Sequence, residues 1–159
     1  MNMHVTTDSK TQQLWFGNTR VAIRIPSATG GNGLSVIEHW MPHGEAPPLH
    51  IHHNEDEIFH ILYGEMQFRI GDVEIVGKAG ETLLAPMGIA HAFRVISPAG
   101  AHCLTITRGS DFESMVLATS RPATHGGLPK AVAPSPEMID ALVKACAEHG
   151  ISIIGPPLG

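Results

Sequence analysis

The stretch GEAPPLHIHHNEDEIFHILYG, residues 44–64, sets four of the chain's eleven histidines and four carboxylates between two glycines. Such density fits a solvated charge cluster or a set of side chains converging on one atom. Spacing separates the two readings. On an extended strand alternate residues share a face, so His50 and His52 project together and His53 points away. Glu57 opens the next alternating run, with Phe59 and Ile61 on its side. Two imidazoles and a carboxylate from adjacent segments are thus expected to meet inside the same sheet. A second stretch, Gly80 to Val95, places His91 at the head of HAFRVIS, with Phe93 and Val95 sharing its face.

Four ligand-type side chains turned into an apolar interior would cost on the order of several kcal/mol if left unpaired. A divalent cation removes that cost. We therefore expect His50, His52, Glu57 and His91 to hold one divalent transition metal per chain. Imidazole ligands favour Fe, Mn, Ni, Cu, Co or Zn over Mg and Ca. Ligands carried on rigid strands suit an open site with room for substrate better than a closed structural one. His43, His53 and His60 have the wrong parity or position, and Glu55 and Asp56 read as a solvated turn.

The rest of the chain frames this cluster. At 159 residues and 43% hydrophobic content it fits one globular domain with a sizeable core. A net charge of −5 leaves no basic stripe for phosphates, so no nucleic-acid partner is expected. No apolar run reaches the length of a membrane span. The polar start MNMHVTTDSKTQQLW lacks the apolar core of a secretion signal, which points to a cytoplasmic protein. Cys103 and Cys146 read as free thiols.

From Leu14 to about Ala118 short alternating runs are separated by Gly and Pro, the pattern of a β-sandwich or small barrel. The last of these runs is DFESMVLA. Residues 1–119 are read as the barrel, with motifs at 44–64 and 80–95, and the Pro/Ala/Gly-rich residues 120–136 as a surface linker. Residues 137–159 are read as a helix and tail packing on the barrel. Ser135 is its N-cap and Pro136 its first position; Met138, Ile139, Leu142, Val143 and Cys146 form its packing stripe, and Gly150 ends it. Leu14-Trp15-Phe16 reads as an edge strand with no partner in the chain, a ground for expecting a homodimer.

The two stretches together spell G-x5-H-x-H-x4-E-x6-G and G-x5-P-x-G-x2-H. This pair resembles the motifs of the cupin family. PPLHIHHNEDEIFHILYGEMQF, LLAPMGIAHAF and the ending EHGISIIGPP are similar to single-domain cupins of the quercetin 2,3-dioxygenase-like type. The resemblance implies a double-stranded β-helix, or jelly-roll barrel, all-β with one C-terminal α-helix. It also implies a metal-dependent dioxygenase that takes O2 and a small hydroxylated aromatic, flavonol-like or enolisable substrate, with Glu57 as the base. Another metalloenzyme chemistry, isomerase or hydrolase, and a non-catalytic binding module stay open, because this barrel hosts many functions. The chain departs from the pattern at His60, Met87 and Val95, where Tyr, Arg and Asn are common; these changes bear on the substrate pocket. Trp40, Phe59, Met66, Phe68 and Phe93 are the candidate pocket residues.

Overall fold

A computed structural model describes residues 11–159. The elements in chain order are β1 (Leu14–Phe16), β2 (Thr19–Ile25), β3 (Leu34–Met41), β4 (Pro48–His52), β5 (Glu57–Tyr63), β6 (Glu65–Ile70) and β7 (Val73–Lys78). They continue with β8 (Thr82–Ala85), β9 (His91–Val95), β10 (Ala101–Arg108), α1 (Asp111–Thr119), β11 (Arg121–Pro122), α2 (Pro136–Glu148) and β12 (Ile151–Pro157). Two antiparallel sheets face each other. One has the order β11-β1-β2-β3-β10-β5-β8 and the other β12-β4-β9-β6-β7. This is the all-β jelly roll that the family resemblance implies, and it agrees with the sandwich or small barrel read from the alternating runs. In β3 and β10 every second residue is buried, as a strand with one face on the core requires. No helix among the described residues is long and apolar enough to cross a membrane.

Several expectations need correction. DFESMVLA is a helix, α1, and not a strand: Phe112, Met115 and Val116 recur at helical spacing and are buried together, while Leu117 is exposed. Leu14-Trp15-Phe16 is not unpartnered, since β1 lies between β2 and β11, with Leu14 opposite Val21 and Pro122. The ground for placing a second copy on that strand is therefore removed. The partner comes from the segment read as linker, which is tied to the β1–β2 hairpin. Trp15 Nε1 donates to Gly127 O at 3.0 Å, and Asn18 exchanges two hydrogen bonds with the Val132 backbone.

The helix α2 starts as read, with Ser135 Oγ accepting from Met138 N at 3.2 Å. Its stripe is the third correction. Ala145 and Cys146 are buried and Leu142 packs against them, but Met138, Ile139 and Val143 are exposed. The helix packs against α1 and β12. Gly150 follows it with φ +67°, and a Cβ there would collide with Asp111 and Asn54, so the turn into β12 needs glycine. The tail then joins the smaller sheet as β12, beside β4. The fourth correction concerns Glu57 and is given with the site.

Candidate metal centre

β4 carries His50 and His52 on one face, and β9 brings His91 directly opposite His50 in register. Glu57 is the first residue of β5, which belongs to the other sheet. The cluster thus spans the gap between the two sheets instead of lying within one. Alternation specifies the face of a residue but not which sheet its strand joins. One ligand-type atom from each of His50, His52, Glu57 and His91 lies within 4.8 Å of the others. His52, Glu57 and His91 are buried and His50 is partly so.

Each imidazole is held by its Nδ1. His50 Nδ1 lies 2.7 Å from Pro48 O and His91 Nδ1 3.2 Å from Ile89 O. His52 Nδ1 lies 3.3 Å from Glu55 Oε1. Acceptors at all three Nδ1 positions fix the N–H there and leave the Nε2 atoms for the centre. His91 Nε2 lies 2.8 Å from Glu57 Oε2. His52 Nε2 is 3.1 Å from the same oxygen, within ion-pair distance but outside hydrogen-bond geometry. An ion at the centre would satisfy it.

The electrostatics agree. Burial, helped by the neighbouring His91, lowers His50 to a pKa of about 4 and keeps it neutral. Burial also pulls His52 down, yet Glu57 and Glu55 outweigh it and raise the ring to about 10. Glu57 is held well below the usual carboxylate range: burial works against ionisation, and the adjacent His52 and His91 overcome it. A cationic imidazole therefore shares the buried carboxylate, and one divalent cation can replace that proton. The His/Glu cluster is compatible with one divalent metal ion.

Glu55 is where the sequence reading failed most. It is 3% exposed, not part of a solvated turn. Its Oε1 accepts from Phe112 N at 2.7 Å at the start of α1 as well as facing His52 Nδ1. Asp56 is exposed as expected and accepts from Met87 N. His53 and His60 point elsewhere, to Ser152 and Thr82.

A cavity of about 80 Å³ reaches the cluster. Phe59 and Phe93 form part of its wall. Met66 and Phe68 lie deeper, in the strand-built core, and do not reach it. Trp40 is on the outer face of β3, stacked on His102 at 4.8 Å with Arg20 over its ring. The wall also includes Phe16, Thr19, His39, Phe112 and Cys146, none of which any motif marks. Cys103 and Cys146 are free and buried, and burial pushes their thiols up to about 12 and 11.

A jelly roll with three imidazoles and one carboxylate between its sheets defines a class, and the comparisons agree with it. Residues 36–107 match the family model described as Cupin domain. Among solved structures the chain is similar to a predicted oxalate decarboxylase from Thermotoga maritima, with 21% identity and a TM-score of 0.61 over 66% of this chain and 98% of the other. An RmlC-like cupin from Shewanella frigidimarina gives 17% identity and a TM-score of 0.56, over 67% and 90%. An oxalate oxidase in complex with glycolate gives 23% and 0.51, over 58% and 52%. These likenesses show the fold. No curated protein sequence matches.

Proposed function

We propose that this chain is a metal-dependent dioxygenase acting on a small hydroxylated aromatic or enolisable substrate, with His50, His52, Glu57 and His91 as the metal ligands. The observation that carries this reading is the cluster itself: three Nε2 atoms, each set by an Nδ1 acceptor, facing a buried ionised carboxylate at the end of a cavity. A bound divalent ion supplies a Lewis acid that acidifies a coordinated hydroxyl. Glu57 is the carboxylate in place to take that proton, and burial makes it a strong acceptor once its histidine partners turn to the metal.

The wall is largely apolar, with Phe59, Phe93 and Phe112 contributing ring surface for an aromatic or enol. A cavity of about 80 Å³ is about half the roughly 150 Å³ that encloses one benzene ring, which favours a small substrate over a whole flavonol. The test is metal analysis of the purified protein together with turnover of dihydroxybenzenes and enolisable carbonyl compounds, with and without air. One metal per chain and O2 uptake matched to substrate loss are expected. Equal turnover under anaerobic conditions would overturn the dioxygenase reading in favour of an isomerase or hydrolase.

A further inference from the structure

His39 on β3 lines the cavity but belongs to neither motif and to no ligand set. His39 is 6% exposed. His39 Nε2 lies 2.8 Å from Thr19 Oγ1. The single hydroxyl hydrogen of Thr19 is already used, because Oγ1 donates to Phe16 O at 2.7 Å. Thr19 can then only accept from the ring, so the proton sits on His39 Nε2. The reverse tautomer would withdraw a hydrogen bond from Phe16 O. Nδ1 is left as a bare lone pair, with no hydrogen-bond partner among the described residues. Burial lowers this ring to a pKa of about 4, against a smaller opposite pull from Glu57, so it is neutral.

We infer that His39 Nδ1 is a recognition point that accepts a hydrogen bond from a substrate hydroxyl while another substrate oxygen lies at the His50–His52–Glu57–His91 cluster. The inference rests on the reading of this cavity as the substrate site. It selects a chemical class. A bare imidazole nitrogen takes an O–H donor and repels a carboxylate oxygen. The wall offers a second carboxylate no cationic partner: no Lys or Arg lines the cavity among the described residues, and Glu45, its carboxyl pKa raised by burial, stands on the same wall. The site is therefore built for a neutral hydroxylated molecule and against a dicarboxylate.

The experiment uses zinc-loaded protein labelled with ¹⁵N-histidine. NMR should find the His39 proton on Nε2 and a bare Nδ1 whose signal moves when ligand binds. Calorimetry then takes catechol, resorcinol and hydroquinone, and compares the tightest binder with its own monomethyl ether. Wild type should prefer the free diol about tenfold, the effect of one unmade hydrogen bond in a closed site. His39→Leu should bring the preference within about twofold. His39→Asn should retain it, since Asn Oδ1 can stand where Nδ1 was. A proton on Nδ1, equal affinity for diol and ether in wild type, binding by none of the diols, or an undiminished preference in folded His39→Leu each overturns the inference. If His39→Leu does not fold, the wild-type tautomer and its response to the diol decide. Selective binding by the zinc-loaded protein, with no O2 uptake by protein carrying the metal it is purified with, would defeat the proposed reaction and leave the recognition point standing. O2 uptake without selectivity would do the reverse.

Discussion

Two apolar clusters flank the cavity and are built by different means. One is made of strands alone: Met41, Phe59, Ile61, Met66, Phe68, Phe93 and Val95 are all buried in it, and its three phenylalanines meet at ring distances of 5.1–5.9 Å. The other gathers Leu14, Val21 and Ile37 from strands, Phe112, Met115 and Val116 from α1, Ala145 and Cys146 from α2, and Ile151 from β12. The first is a closed jigsaw of tilted rings, with Cys103, held protonated by burial, inside it. The second is a cap, and its elements also brace one ligand: Phe112 N donates to Glu55, which faces His52, and Ile151 pairs with His52. One end keeps the barrel together, and the other end aims it. The cluster of charge sits where the two meet.

This division can be tested most severely at Glu57. In Glu57→Gln an oxygen donor remains, so excess metal should restore occupancy. The amide has no basic lone pair to take a substrate proton, so turnover at full occupancy should stay about 10²–10⁴-fold low. Alanine at His50, His52 or His91 supplies the control, since activity there should track metal content. Near wild-type turnover of a metal-saturated Glu57→Gln protein would leave this carboxylate a ligand at most.

The closed end should answer differently. Phe68→Ala removes a fully buried ring that touches Phe59 and Phe93, and is expected to lower stability by about 3–5 kcal/mol. Phe68 does not line the cavity, so metal affinity of the folded fraction should be unchanged. Denaturant unfolding and metal titration on the same sample would separate the two. A large loss of metal affinity would mean that the ends are not independent.

Protons offer a third separation. His39, lowered to about 4 by burial, stays neutral in the folded state while the unfolded ring protonates below about 6.5. Between those values the unfolded state binds more protons, so stability falls as pH drops from about 6.5 to about 4. The shift corresponds to about 3 kcal/mol. His50 acts in the same direction, for the same first cause. In metal-free protein His52 works oppositely, because its raised pKa gives stability that is present below about 6.5 and lost as pH rises towards about 10. Urea midpoints from pH 4 to 7 should show the acid slope, and His39→Leu should flatten part of it. An unchanged slope would mean that His39 is charged in the folded protein.

What was legible in the sequence follows the same line. Parity along each strand put His50, His52, Glu57 and His91 on inward faces, and the structure brings them together. Parity is local and survives any tertiary arrangement. It could not reveal that β5 lies across the barrel from β4, because sheet membership depends on distant pairings. It could not reveal that Arg121–Pro122 would flank β1. The helix α1 was misread because Phe112 and Met115 sit in a run short enough to fit either period. Among the aromatic residues taken as pocket, Phe59 and Phe93 reach the cavity, while Phe68 shares their inward face but sits deeper. Depth along the barrel axis has no signature in alternation. Trp40 shows the opposite failure: its neighbours Met41 and His39 are the inward ones.

Glu55 is the residue on which the two regions depend in common, and its effect should be the smallest and most specific. Its Oε1 faces two donors, the α1 amide of Phe112 and His52 Nδ1, while Oε2 is buried with no hydrogen-bond partner among the described residues. Gly109 lies beside that oxygen, and a Cβ there would approach it to 2.7 Å, so the close packing around Glu55 needs glycine at this position. In Glu55→Gln the amide oxygen can still accept from Phe112, which keeps α1 docked. The lost negative charge makes His52 a weaker base and a weaker ligand. Metal affinity should fall by about 10–100-fold, the range seen when a group that orients a metal-bound histidine is changed. Glu55→Ala should add a folding defect, because the buried Phe112 N–H is then unpaired. If Glu55→Gln binds metal as tightly as wild type, the carboxylate serves only to anchor the helix, and the cap would hold the fold without tuning the site.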